Sequence, residues 1–408
     1  MGTNSGSEVL AFQGWRRFKE SFAPEIVERA ANETRDATGL RVRSCLDPFG
    51  GSGTTALACQ FLGIMPTTIE VNPYLADLIE AKLDVVDVRH AARTFARMLQ
   101  TAPYIAPEDF YSSAPPTFVE PGRSGKFLFS LEVSGRLASL CSFIDKETAG
   151  PIQRLLRVLL ASAAVDVCNA TVSGKGRRYR RNWEKNSFSA ADLDRAYMRL
   201  FSTAIFDISR YGGRAESRYN LMRGDARRLI ENSDQFDLAV FSPPYPNSFD
   251  YTDVYNIELW SGGYLRTKSD NMALRRDTIR SHVQISRDMS SAALQSSALI
   301  EAMERLTEKR SDLWNRNIPD MVSAYFGDMH TILEAMRQKM STNGRVYAVV
   351  GDSCYAGVEI PVAKILTEIS PDSGYRVVSC EPFRSMRLSP QQGGDPKLAE
   401  SLLVLEVI

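Results

Sequence analysis

Residues 45–55 read CLDPFGGSGTT, and they fix the local path of the chain more firmly than any other stretch. An apolar run at 40–46, LRVRSCL, meets Asp47 and Pro48, breaks into Gly50, Gly51 and Gly53, and gives way to a helical run, ALACQFLG. Strand, tight turn and helix in that order is the unit from which open α/β sheets are built. Gly51 and Gly53 permit positive φ and close backbone approach, so a ligand can sit on the turn and face the amides that open the helix. The glycines alone leave that ligand open. Gly-x-Gly-x-x-Ala is a weak dinucleotide signal, no Lys follows the last glycine as a phosphate loop requires, and a purely structural turn is a further alternative.

The same alternation recurs along the chain. A short strand at 67–71 carries Glu70 near its end, and Asn72-Pro73 opens the next helix. Glu70 follows Gly53 by the interval at which doubly wound folds place a carboxylate on ribose hydroxyls, although a solvated strand-end carboxylate would look the same. Further on, SRYNLMRGDA sets Asp225 just after a strand, and QFDLAVFSPPY runs from an apolar strand into Ser242-Pro243-Pro244-Tyr245. With GRVYAVVGDS, YRVVSCEPF and SLLVLEVI the strand patterns number seven, near 40–46, 67–71, 218–223, 237–241, 345–350, 376–381 and 401–407. Helical patterns separate most of them, which predicts a Rossmann-like α/β sheet with its ligand across the carboxyl ends of the first strands. The periodic helix beginning IPDMVSAYF is expected to stop at Asn343-Gly344.

Taken together, DPFGGSGTT and Ser242-Pro243-Pro244-Tyr245 make the chain resemble the S-adenosylmethionine-dependent methyltransferases that act on amino groups of nucleic-acid bases. The first string is similar to that family's cofactor motif and the second to its catalytic motif. The resemblance implies a seven-stranded methyltransferase sheet with its last strand antiparallel, and S-adenosylmethionine as cofactor. It implies that Asp47, Pro48, Phe49, Gly51, Gly53 and Thr54 hold the cofactor together with Glu70 and Asn72. Asp225 would accept from its adenine amino group, and Phe22-Ala23-Pro24 resembles the F-x-P element that covers its methionine end. Gly351, Asp352 and Ser353 would shape the back of the base pocket. In the catalytic motif, Ser242 Oγ and the Pro243 carbonyl would accept the amino hydrogens, Pro244 would stiffen the turn, and Tyr245 would stack on the base. An exocyclic amino group needs such acceptors, because its lone pair is delocalised into the ring and must be held in line and pyramidal. DNA would be the substrate, its target base flipped into the pocket.

Two features depart from a uniform pattern. The glycine motif precedes Ser-Pro-Pro-Tyr, whereas DPFGGSGTT is typical of members in which the catalytic motif comes first. This order places target recognition between the motifs, in 101–213, leaving 1–100, 214–265 and 317–408 as the catalytic domain and 266–316 as a second, helical insertion. Ser at the head of the catalytic motif is more usual for N4 methylation of cytosine, and Asp or Asn for N6 methylation of adenine. Cytosine is therefore the expected base, with N6-adenine, an RNA base and an inactive recognition subunit as alternatives. A cognate restriction nuclease or defence-system subunit is the protein partner the resemblance implies.

Charge narrows where DNA can bind. Lys plus Arg and Asp plus Glu both total 49, so attraction to phosphate must come from a local patch. The strongest is VSGKGRRYRRNWEK, where Lys175, Arg177, Arg178, Arg180 and Arg181 alternate with Tyr179 and Trp183, a mix suited to phosphate contact and stacking, or to a solvated basic loop. The six cysteines lack short paired spacings, so neither a metal site nor a disulfide framework is expected, and the cytoplasm is the natural setting. No apolar stretch of about 18 residues suggests a membrane span.

Overall fold

The computed structural model describes residues 10–16, 22–39, 41–173, 176–185, 188–386 and 398–408. Its strands in chain order are β1 (Ser44–Asp47), β2 (Met65–Glu70), β3 (Ala170–Ser173), β4 (Gly176–Tyr179), β5 (Asn220–Arg223) and β6 (Phe236–Phe241). They continue with β7 (Met340–Gly351), β8 (Ser353–Tyr355), β9 (Val358–Ile360), β10 (Tyr375–Met386) and β11 (Leu398–Val407). Seven form one sheet in the order β10-β11-β7-β6-β1-β2-β5. The run from β5 to β7 is parallel, and β11 lies antiparallel to both β7 and β10. The Rossmann-like seven-stranded sheet with a reversed last strand, expected from the sequence, is thus the fold. The hairpins β3–β4 and β8–β9 were not anticipated, because strands this short carry too few residues to display a period.

Side chains alternate across the sheet and bury both of its faces. Cys45, Leu238, Val240 and Tyr347 pack with Ile26, Val27 and Ala30 of the helix Glu25–Thr38, whereas Leu46, Ala239, Phe241 and Val346 pack with the helix Ile318–Lys339. That second layer is completed by the helices Ser297–Glu308 and Val362–Ile369.

Residues 101–213 extend the first layer. The helices Leu131–Glu147, Gly150–Asp166 and Ala190–Tyr211 share one apolar cluster with Leu75, Leu78 and Ile79 of the helix Pro73–Leu83. The join is also polar: Tyr74 OH lies 2.9 Å from Ser162 Oγ, and Arg154 pairs with Asp84 at 2.6 Å. Asn343-Gly344 does not end a helix. The helix closes at Lys339 and passes directly into β7, where Asn343 adopts φ 62 and the pairing with β6 shifts register between Phe236 and Leu238. Asn tolerates the left-handed conformation, so the dipeptide serves a bulge as readily as a cap. Within 266–316 only Lys268–Asp277 and Ser297–Glu308 are helical, and the chain between them runs irregularly past the sheet.

Candidate functional site

A cavity of ≈ 390 Å³ is lined by residues at or just beyond the carboxyl ends of β1, β2, β5 and β6, including Asp47, Glu70, Asp225 and Ser242. Parallel strands bring these four sequence-distant residues to one edge.

The glycine turn forms one wall. Gly50 is required by packing, since a Cβ there would lie 2.4 Å from Thr68 Cγ2 and 2.8 Å from Ile79 Cδ1. Gly51, at φ 51, lines the cavity, and a Cβ on it would meet nothing nearer than the Phe49 carbonyl at 3.7 Å. Gly53 plays a different part from the one expected. Its φ of 79 starts the helix Thr54–Leu62, and its missing Cβ would point at Ile79 Cγ1, 3.0 Å away, so it shapes the turn without lining the cavity. Beneath the turn the buried Lys82 donates to the Ser52 carbonyl at 2.7 Å.

Two buried carboxyls face the same space. Glu70 accepts from the Gly51 and Asn72 amides, both at 2.7 Å, and burial pushes its pKa up to about 7. Asp47 accepts from the Phe49 amide at 2.9 Å, and burial raises its pKa to about 6. Asn72 caps the helix Pro73–Leu83 by accepting from the Tyr74 amide at 3.0 Å, and with Pro48, Phe49 and Thr54 it lines the cavity. Phe22 lines it too, whereas Pro24 stands at the N-cap of Glu25–Thr38 and does not.

Asp225 is more heavily engaged than a free acceptor would be. Both its oxygens bond to the Arg227 guanidinium, at 2.7 to 3.0 Å, and Arg227 reaches on to Asp328, which also pairs with Arg280. At the far end, Ser242, Pro243, Pro244 and Tyr245 follow β6 directly and all line the cavity. Ser242 Oγ lies 3.2 Å from Tyr245 OH, which donates to Glu400 Oε1 at 2.9 Å. Tyr355 OH holds the loop beyond by donating to the Pro246 carbonyl at 2.9 Å. Phe249, Tyr251 and Tyr255 supply an aromatic wall. Gly351, Asp352 and Ser353 lie outside the cavity, Asp352 accepting weakly from the Ala363 amide at the start of Val362–Ile369.

Sequence reasoning missed several lining residues. Asp277 ends the helix Lys268–Asp277, Thr278, Ile279, Ser281 and His282 come from the irregular segment after it, and Phe383, Arg384 and Glu400 come from the far edge of the sheet. His282 is 1% exposed, and neither ring nitrogen has a hydrogen-bond partner among the described residues. Burial, opposed by Asp250, lowers its pKa to about 4, so it is neutral. Its only sequence signal is scarcity, as one of three histidines in the chain.

The basic segment divides. Arg177 pairs with Asp253 at 2.8 Å, beside the aromatic wall, and Arg180 donates to the Cys168 and Val165 carbonyls at 2.8 and 2.9 Å, closing the helix Gly150–Asp166. Arg178 and Arg181 are exposed, and Lys175 lies outside the described residues.

The sheet order, its single reversed strand and a polar cavity at the carboxyl ends define the Rossmann-like seven-stranded class that the sequence predicts. No protein-family model matches the chain. By sequence it is similar to the Type II methyltransferase M.AvaI of Nostoc sp. and of Anabaena variabilis, 26% identical over 406 residues, spanning 89% of this chain and 79% of the relative. It is also similar to the Type II methyltransferase M.BsoBI of Geobacillus stearothermophilus, 22% identical, spanning 97% of this chain and 86% of the relative. Among solved structures, the rRNA methyltransferase aviRa of Streptomyces viridochromogenes aligns over 95% of this chain and 85% of its own at 8% identity and a TM-score of 0.30. At that score the structural likeness adds nothing to the sheet order itself.

Proposed function

We propose that this chain is an S-adenosylmethionine-dependent DNA methyltransferase that modifies the exocyclic N4 amino group of cytosine. The observation that carries the reading is that Ser242, at the end of β6, and the glycine turn, at the end of β1, face one cavity with Glu70 and Asp225 on its walls. Similarity to two Type II methyltransferases along nearly the whole chain supports the same class.

When bound, S-adenosylmethionine supplies an electrophilic methyl group on a sulfonium. The chain's residues fit that cofactor. Glu70, aimed by two backbone amides, keeps further lone pairs for ribose hydroxyls, and the open face of Gly51 leaves room for close approach. Asp47 and Glu70, protonating readily when the cavity is empty, favour a ligand bringing positive charge or hydroxyl donors. Asp225, steadied by Arg227, marks the adenine end, and Ser242 with Pro243 marks the end where the amino group is held. Phe249, Tyr251, Tyr255 and Tyr245 offer faces to a base that has left its stack.

Residues 101–213 serve as the DNA-facing region in this reading, because the β3–β4 hairpin is tied by Arg177 to Asp253, next to the aromatic wall. Replacing Arg178 and Arg181 by Ala is expected to weaken DNA binding and flatten its salt dependence by roughly one unit of slope per lost phosphate contact, with cofactor affinity unchanged. Titration of binding against salt checks this, and an unaltered slope would return the two arginines to a solvated loop. Transfer of labelled methyl groups from the cofactor to DNA and to RNA tests the function itself. Incorporation into DNA is expected, and incorporation into RNA alone, or into neither, would overturn the proposal.

A further inference from the structure

We propose that Glu400 orients Ser242 through Tyr245, committing the Ser242 proton so that its oxygen meets the substrate purely as an acceptor; this rests on the amino-methyltransferase reading above. The reversed strand makes the arrangement. β11 pairs with both β7 and β10, which sets Glu400 opposite Gly351 on one side and Arg384 on the other. Glu400 and Arg384 both line the cavity, and Arg384 Nη1 lies 3.4 Å from Glu400 Oε2. The other carboxylate oxygen, Oε1, receives the Tyr245 hydroxyl at 2.9 Å, and that hydroxyl is 3.2 Å from Ser242 Oγ.

The direction of these bonds follows from proton counting. A carboxylate has no proton to give, so Tyr245 donates to Glu400. A phenol has only one, so toward Ser242 it can only accept, and the Ser242 O–H is the donor. Burial, reinforced by the Glu400 carboxylate, pushes the Tyr245 phenol well above its usual range, so it keeps its proton. Among the described residues no other group bonds to Ser242 Oγ, which leaves its lone pairs for the amino hydrogens of a base.

A serine hydroxyl without such a partner rotates, and it can turn its proton toward the amino nitrogen, occupying the lone pair that must attack the methyl group. A carboxylate in the same place could not do so. The chain from Ser242 through Tyr245 to Glu400 thus gives serine the one-sided character of an acceptor, and each bond polarises the next. Glu400 acts here as a positioning residue, touching the substrate only through the other two.

A double-mutant cycle on the full chain tests this, with single-turnover methyl transfer to DNA as the readout at saturating cofactor. Tyr245→Phe and Glu400→Gln are each expected to lower the rate about tenfold, the value of one hydrogen bond, with cofactor and DNA dissociation constants within about twofold of wild type. On a Ser242→Ala background, Tyr245→Phe should cost nothing further, because the effect passes through that hydroxyl. Equal losses on both backgrounds would mark a packing role, and unchanged rates in both single variants would remove the relay; either result overturns the proposal. Tyr245→Phe keeps the ring, so the cycle stands on it even if Glu400→Gln fails to fold. Absence of methyl transfer to DNA by the wild-type chain would instead refute the enzymatic reading on which the proposal rests.

Discussion

Ser242→Ala is expected to lower the single-turnover rate of methyl transfer by about 10²- to 10³-fold while leaving DNA affinity within about twofold, the pattern of a contact that matters most in the transition state. The side chain is small, partly exposed to the cavity and, among the described residues, bonded only to Tyr245, so its loss removes no core packing. What it removes, on the proposed mechanism, is an acceptor for an amino hydrogen at the moment the nitrogen becomes pyramidal. The Pro243 carbonyl remains, which is why the loss should be large and incomplete. Rapid-quench measurement with enzyme in excess over DNA separates this from slow product release. A single-turnover rate equal to wild type would take Ser242 out of the mechanism.

Glu70→Gln is expected to weaken cofactor binding about 100-fold or more, despite its nearly identical shape. Glu70 presents one oxygen to the Gly51 amide and the other to the Asn72 amide, each at 2.7 Å. A glutamine offers one oxygen only, so its amino group would confront a buried N–H, a conflict worth about 1–3 kcal/mol before any contact with ribose is lost. The wild-type pH dependence carries a linked signature. Glu70 is raised to about 7 in the empty protein, so below that pH a ligand that needs the carboxylate must displace a proton. Affinity should therefore rise with pH up to about 7 and then level, and in Glu70→Gln the part of this dependence near pH 7 should disappear, leaving only what Asp47 contributes near pH 6. Calorimetry across that range checks both statements, and full affinity in the variant would remove Glu70 from the cofactor site.

The parts of this site that the sequence displayed are those governed by short-range rules. Glycines mark a turn because few other residues adopt φ 51 or 79, and Ser-Pro-Pro-Tyr stands out because it follows an apolar strand that must end there. The seven strands were legible for the same reason, since alternation and apolar runs are local. Other features depend on where distant segments finish. Glu400 looks like an ordinary strand carboxylate until β11 reverses and sets it beside Tyr245. His282 and its neighbours belong to an irregular segment with no period to read. The basic segment failed in an instructive way. Five cationic side chains read as a phosphate patch, yet Arg180 caps a helix and Arg177 holds Asp253, partners that only tertiary contact reveals. Gly53 belongs with them, because which side of the turn its missing Cβ faces is set by the helix that packs against it.

The central claim is the transfer of a methyl group to N4 of a cytosine in DNA. Its most direct test is to incubate the full chain with S-adenosylmethionine and duplex DNA of mixed sequence, digest the product to nucleosides and identify the methylated species by mass. The account predicts N4-methyldeoxycytidine. Recovery of N6-methyldeoxyadenosine in its place would contradict the cytosine assignment while keeping the amino-methyltransferase, and a DNA product bearing no methyl group would contradict the account as a whole.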